Sequence, residues 1–423
     1  MTFEAGVRRV APDTRPLPDS DPVLVDLLRE ELSATGPITF ARYMEVALTE
    51  PGHGYYVTST DRPTRQGDFV TAPELHPIFG AVLARALDEG WRALDRPDPY
   101  VLVEYGAGTG ALAESILTGL RADGSGLREA LRYEPIELTA DHAERIRARL
   151  AAVGFADAMA APEPTDSAAD HSRSADIQAA ADIPPATGTV LANEYLDALP
   201  VHRVERSAGV LRELFVTWDP VGGRFAEIAG PPSTPALADR LASEGVQLPE
   251  GARAEICLAI DEWLDDASAR VGRGFGLVID YGRRAGELYG PARAGGTLRA
   301  YSGQRAHDDP FVAIGRQDLT AHVDFSGVER AAADRGWHSL GLTTQARFLV
   351  GAGLEGILRA RQVDPDLGPT GYLALRASVM RLIDPRALGA FRVLALGRRV
   401  PPETRLSGVV DEGNADPPPT GPP

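Results

Sequence analysis

The 423-residue chain contains no lysine, so all 43 of its basic residues are arginines. Chemistry that needs an ε-amine is thereby excluded: a Walker-type phosphate lysine, the strand lysine of a protein kinase, a pyridoxal Schiff base. Cysteine is nearly absent. Cys257 stands alone, which rules out an internal disulfide, and no Cys/His spacing resembles a zinc site. No uninterrupted apolar run approaches membrane-spanning length. The opening MTFEAGVRRVAPDTRPLPDSDP has no apolar core of signal-peptide length, and its Glu4, Asp13, Asp19 and Asp21 argue against a transit peptide. These absences predict a cytoplasmic protein without membrane insertion. A formal charge of -17 and a pI near 5.0 leave no general positive field for polyanions, so no nucleic-acid partner is expected.

Proline, aspartate and glycine dominate residues 1–21 and 404–423, and both are expected to be disordered tails. Residues 157–187 are Ala/Pro/Ser/Asp-rich without sustained periodicity, the pattern of a flexible surface insertion. Between 22 and 98 the segments VLVDLLREEL, FARYMEVALTE and IFGAVLARALDEGW carry apolar residues at helical spacing. They are joined by the long Gly/Pro-punctuated loop PGHGYYVTSTDRPTRQGDFVTAPELHP. From 99 onward YVLVEYG, ALAESILTGL, LRYEP, DHAERIRARL and TVLANEY alternate strand and helix, which predicts an α/β fold with a mostly parallel sheet. A hairpin (VHRVERSAGVLRELFVTWD) follows, then a helix (EICLAIDEWLDDASARV), a buried strand (GFGLVIDYG) and a late strand (FRVLALGRR) expected at a sheet edge.

The chemistry concentrates at Glu104-Tyr105-Gly106-Ala107-Gly108-Thr109-Gly110, a strand-to-helix turn whose glycines let backbone approach a ligand closely. The same letters satisfy a dinucleotide fingerprint, Gly106-x-Gly108-x-x-Ala111, so the spacing alone does not separate a nicotinamide nucleotide from S-adenosylmethionine. Glu104 tips the balance. A carboxylate there would oppose a pyrophosphate but suit the ammonium and sulfonium of S-adenosylmethionine. Glu134, at the end of the second strand, can accept hydrogen bonds from ribose hydroxyls, with Glu137 as a nearby competitor. Asn193, Glu194 and Asp197 fall at the end of the third strand, on the edge where open α/β sheets bind ligands. Glu194 and Asp197 are the candidates for positioning a guanidinium or amine, although Asn193 and Asp197 would serve equally well as turn caps. Asp280 ends a buried strand, where structural pairing competes with catalysis. His307, Asp308, His322 and Asp324 are too scattered for a metal site, and none is expected.

Several blocks together resemble the MidA-like methyltransferase family over most of residues 36 to 345: GPITFARYMEVALTEPGHGYY, GDFVTAPELHPIFG, LVEYGAGTGALAESIL, VLANEYLDALPVHR, VIDYG and TLRAYSGQRAHDDPFVAIGRQDLTAHVDFSGV. The resemblance implies a class I, Rossmann-like methyltransferase sheet over 99–403. It also implies an added helical region at 22–98 packing on the cleft and an acceptor-covering block at 285–345. S-adenosylmethionine is the implied donor, held by Glu104, Gly106, Ala107, Gly108, Gly110, Glu134 and Asn193. Asp68 and Thr71 of GDFVTAPE, in the block that closes over the site, are implied secondary contacts. The implied acceptor is a protein arginine. Departures from the family pattern at Tyr105, Ala107, Thr109 and 75–77 leave the acceptor's identity open, and oligomeric state is not legible. A cofactor-binding assembly protein with little catalysis and a nicotinamide-dependent oxidoreductase stand as alternatives.

Overall fold

The computed structural model describes residues 17–58, 71–160, 185–302, 305–401 and 403–409. Its centre is a six-stranded sheet: β1 (Tyr100–Tyr105), β2 (Leu131–Ile136), β3 (Ala186–Asn193), β4 (Val271–Asp280), β5 (Trp337–Thr344) and β6 (Arg392–Arg398), in the order β5-β6-β4-β3-β1-β2. β2, β1, β3 and β4 run parallel. β6 is antiparallel to β4 and β5 is antiparallel to β6. The sheet is therefore mixed, and the mostly parallel expectation holds for four strands only. The late strand is β6, and it lies inside the sheet. WHSLGLTT, within the block 285–345, forms β5 and takes the edge position. β4 is buried along nearly its whole length, as a strand covered on both faces must be.

Both faces of this sheet carry helices. On one, α3 (Ile78–Ala93) and α4 (Ala111–Ala122) lay Phe79, Leu83, Ile116 and Leu120 over Leu102, Leu277 and Ile279. α5 (Ala140–Ala152), whose first turn is capped by Thr139, adds Ile146 and Leu150. On the other, α6 (Ala259–Arg270) and α7 (Phe325–Ala333) bring Trp263, Leu264 and Val328 against Val103, Val190 and Val278. Each fully buried aliphatic side chain contributes roughly 1.5–3 kcal/mol. The predicted hairpin forms as His202–Ser207 and Val210–Asp219. It belongs to a second, antiparallel sheet completed by Ile38–Thr39, Arg224–Gly230 and Arg253–Ile256. The segment read as one helix from Glu255 is thus a strand followed by α6.

Residues 22–98 do not pack as one body. α1 (Pro22–Thr35) and α2 (Phe40–Thr49) bury Leu24, Leu28, Phe40, Tyr43 and Met44 with Val201 and Val216 of the second-sheet region and with Leu298, Ile314 and Leu319 of the block 285–345. α3 instead belongs to the main sheet. The expected tails are also shorter than the composition suggests. Asp21 caps α1 by accepting from the Val23 and Leu24 amides, its own amide donates to Ile314 O at 2.8 Å, and Ser20 Oγ accepts from the Ile314 amide at 3.0 Å. At the other end Leu406 and Val409 join the main core, and Ser407 donates to Glu89. Residues 1–16, 161–184 of the expected insertion, and 410–423 lie outside the described residues.

Candidate active site

β1 delivers the glycine-rich turn to the carboxyl edge of the sheet, and α4 begins immediately after it. Gly106, Gly108 and Gly110 have φ of 66°, 60° and 76°, in the left-handed region that glycine adopts without strain. Two of them are also closely packed. A Cβ on Gly106 would sit 2.8 Å from Tyr195 Cδ2, and one on Gly110 3.0 Å from Ile146 Cγ2, whereas Gly108 faces open space. Ala107 is buried, and its carbonyl accepts from the Gly110 amide at 3.0 Å. Tyr105, whose ring lies 5.6 Å from that of Tyr195, donates to Asp266 at 2.5 Å.

Glu104 is only 3 % exposed; Tyr133 donates to its Oε2 at 2.6 Å. Burial pushes its carboxyl up to about 7, with the Tyr133 hydrogen bond opposing the shift and the charge of Glu137 adding to it. Glu134 lies within β2 and pairs with an arginine. The Arg270 guanidinium, at the end of α6, binds it and Asp266 together. Glu137 occupies the place over the turn, accepting from the Gly108 amide at 2.6 Å. The strand geometry explains the exchange. Tyr105 pairs with Ile136 across β1 and β2, so Glu137 is the first residue past the strand and lies beside Gly106, while Glu134 is held within the sheet.

The end of β3 supplies the acids. Glu194 takes a φ of 51°, an uncommon conformation for a residue with a Cβ. Its Oε1 accepts from the Ala72 amide at 3.1 Å and from Asn193 Nδ2 at 3.4 Å. Asn193 Oδ1 is buried without a hydrogen-bond partner. Asp197, in the turn Leu196–Ala198, receives the Tyr281 hydroxyl on Oδ2 at 2.5 Å. Asp280, fully buried at the end of β4, accepts from the Leu196, Asp197 and Tyr281 amides. Burial raises all three carboxyls, Glu194 to about 7, Asp197 to about 6 and Asp280 well above the usual range, where Asp197's charge adds to the effect. Among the described residues, no cation is one of the groups that shift them.

Thr71 precedes the helical turn Ala72–Leu75, which covers this edge: Ala72 reaches Glu194, and Glu74 accepts from Thr109 Oγ1 at 2.5 Å. Asp68 lies outside the described residues. Glu104, the three glycines, Glu194, Asn193 and Asp197 are thus brought to one edge. Tyr281, Tyr133 and Glu74 join them without having been singled out, although Tyr281 and Glu74 lie within the blocks VIDYG and GDFVTAPE.

A strand-end acid, a glycine turn opening a helix and a second acid over that turn define a nucleoside-binding α/β enzyme. The chain belongs to the family described as "Putative S-adenosyl-L-methionine-dependent methyltransferase", which matches residues 82–343. It is an S-adenosylmethionine-dependent methyltransferase. The mouse protein arginine methyltransferase NDUFAF7, mitochondrial, is 31% identical over 92% of this chain and 86% of its own length; the Drosophila melanogaster homologue is 31% identical over 88% and 84%. A Burkholderia thailandensis protein solved bound to S-adenosyl-homocysteine shares 34% identity and a TM-score of 0.79, covering 93% of this chain and 97% of that one. The mouse, fly and human relatives are named as mitochondrial proteins, which overturns the cytoplasmic expectation drawn from the N-terminus. Among the described residues no helix is long and apolar enough to cross a membrane.

Proposed function

We propose that the chain transfers a methyl group from S-adenosylmethionine to an arginine of another protein, on a class I, Rossmann-like arrangement in which β2, β1, β3 and β4 carry the site and the block 285–345 covers the acceptor. The observation that carries this reading is the set of desolvated carboxyls Glu194, Asp197 and Asp280, set beside the glycine turn and, among the described residues, shifted by no cation. Buried acids without a counter-ion suit a cationic ligand.

The residues present fit the donor. Gly108 leaves room for close backbone approach, Glu104 offers a buried carboxyl for an ammonium, Glu137 sits where ribose hydroxyls would reach it, and Asn193 Oδ1 is an acceptor in want of a donor. Glu137 is the better placed of the two acids for the ribose, since Glu134 is engaged by Arg270. Bound there, S-adenosylmethionine supplies a methyl group on a positively charged sulfur. Glu194 and Asp197 hold the guanidinium and align one nitrogen with that methyl, a positioning role in the main. As the new carbon–nitrogen bond forms the methyl–sulfur bond breaks, its electron pair leaving with S-adenosylhomocysteine; the nitrogen loses a proton, and a carboxyl with its pKa near 6 or 7 is suited to receive it at neutral pH.

The experiment is labelled-methyl transfer into proteins of a cell extract, with the modified residue identified by mass spectrometry, alongside calorimetry of donor binding. Glu194→Ala and Asp197→Ala should depress transfer far more than donor affinity. Equal loss of both would move these acids into the donor's own shell, and label recovered on residues other than arginine would end the acceptor assignment.

A further inference from the structure

One face of α5 grips the glycine turn and the acid above it. His142, Ile146 and Arg149 stand four and then three residues apart on this helix, so their side chains share a face. Arg149 Nη1 donates to Thr109 O at 3.0 Å, and its Nε donates to Glu114, in the first turn of α4, at 2.6 Å. Ile146 is fully buried and fills the space beside Gly110. His142 Nδ1 lies 3.5 Å from Glu137 Oε2, while Oε1 of the same carboxyl accepts from the Gly108 amide at 2.6 Å. The His142 and Glu137 side chains are 13 % and 8 % exposed, so water competes little for this contact. Only residues 137–139 separate β2 from α5, and Thr139 Oγ1 accepts from the His142 amide at 3.3 Å. Acid, cap and imidazole are therefore fixed relative to one another.

A glutamate that receives ribose hydroxyls must adopt one rotamer, and ordering a long side chain counts against affinity unless the protein has done so beforehand. The Gly108 amide holds one oxygen of Glu137. An imidazole with a proton on Nδ1 can donate to the other whether the ring is neutral or charged. Resting on the ribose role of Glu137 above, we propose that His142 is a positioning residue for S-adenosylmethionine: it fixes the Glu137 carboxyl over the turn before the donor arrives. Glu104 gives the contact a further purpose. Its charge and that of Glu137 are close enough to interact, and a second donor on Glu137 keeps that repulsion from moving the carboxyl off the turn. His142 thus acts on the donor through Glu137.

The test is a double-mutant cycle on the full chain, read as calorimetric affinity for S-adenosylhomocysteine. His142→Ala should weaken binding about fivefold, the scale of leaving one long side chain for the ligand to order. His142→Phe, which keeps a ring in the same space without a donor, should be as weak. His142→Asn, whose amide can donate from nearly the place of Nδ1, should recover most of the loss. In a Glu137→Ala background the change His142→Ala should weaken binding little further, because the group it positions is gone. Losses that multiply in the double variant, or an Asn variant as weak as the Ala and Phe variants, overturn the positioning role. So does parental affinity in His142→Ala beside a weakened Glu137→Ala, which leaves the ribose role of Glu137 standing. Parental affinity in Glu137→Ala itself overturns both.

Discussion

Replacing Gly108 should separate donor binding from folding. A Cβ at this position meets only Gly106 O, at 3.9 Å, so packing contributes nothing against alanine. The φ of 60° does, since a left-handed conformation costs an L-residue roughly 1–2 kcal/mol. At about 2–4 °C per kcal/mol for domains of 150–250 residues, and less for a longer chain, the melting temperature should fall by no more than about 5 °C. Gly106→Ala bears the same conformational term and also drives its Cβ to 2.8 Å from a Tyr195 ring already flanked by Tyr105. Displacing that ring adds roughly 1–3 kcal/mol, so Gly106→Ala should melt clearly lower than Gly108→Ala. Donor binding should rank differently. Gly108→Val pushes a branched side chain into the space above the turn, and calorimetric affinity for S-adenosylmethionine should fall about 100-fold, or about 2.7 kcal/mol. Scanning fluorimetry and calorimetry on the three variants decide the matter. A Gly108→Ala protein less stable than Gly106→Ala, or a Gly108→Val protein with near-parental donor affinity, would refute the placement of the donor over this turn.

Glu137→Gln should weaken donor binding by about tenfold, the loss of a charged hydrogen bond, while Glu134→Gln should leave affinity intact and lower the melting temperature slightly by leaving Arg270 with Asp266 as its one carboxylate partner of the two; the reverse pattern in calorimetry would assign the ribose role to Glu134. Glu104 and Glu194 are raised from the ordinary 4.5 to about 7, so the folded state holds more protons than the unfolded one between those values. The stability they confer is complete below about 4.5 and lost as pH rises through about 7, and urea titrations of the ligand-free protein should show that decline, flattened in Glu104→Gln. Donor affinity should change oppositely, rising through pH 7 as Glu104 ionises, and a profile insensitive to Glu104→Gln would remove that carboxyl from the ammonium site. Truncation after residue 403 should destabilise the protein by several kcal/mol, because Leu406 and Val409 leave the core at roughly 1.5–3 kcal/mol each; an unchanged melting curve would contradict their packing.

What the sequence made legible was local. The turn at 106–110 could be read because three positive-φ positions in five residues demand glycine, and β4 because GFGLVID is apolar on both faces. Arg270 could not be foreseen as the partner of Glu134, since 136 positions separate them and only the folded sheet brings α6 beneath β2. The choice between Glu134 and Glu137 hung on where β2 stops, and a three-residue shift in a strand end decides whether a carboxylate lies within the sheet or beyond it. Composition misjudged both tails for a related reason. Asp21, Leu406 and Val409 are single structural residues set among Pro, Asp and Gly, too few to alter an average. β6 lies inside the sheet because WHSLGLTT pairs outside it, and that segment, with Gly341 and a register irregularity in its middle, lacks the clean alternation that marks a strand in sequence.

The distribution of arginine carries the last step. With 43 guanidiniums available, several buried or half-buried acids elsewhere in the fold are matched: Glu134 by Arg270, Glu255 by Arg203, Asp261 by Arg240, Asp21 by Arg316. Removing one partner from such a pair strands a charge, so these acids have structural work that fixes them in place. Glu194, Asp197 and Asp280 are as deeply placed, yet tyrosine hydroxyls and backbone amides are what reach them. Burial outweighs those donors and raises the carboxyls from their usual range, Glu194 to about 7, Asp197 to about 6 and Asp280 well above it. Among the described residues no guanidinium pairs with these three acids, which suits that edge to bind a cation from outside and to accept its proton.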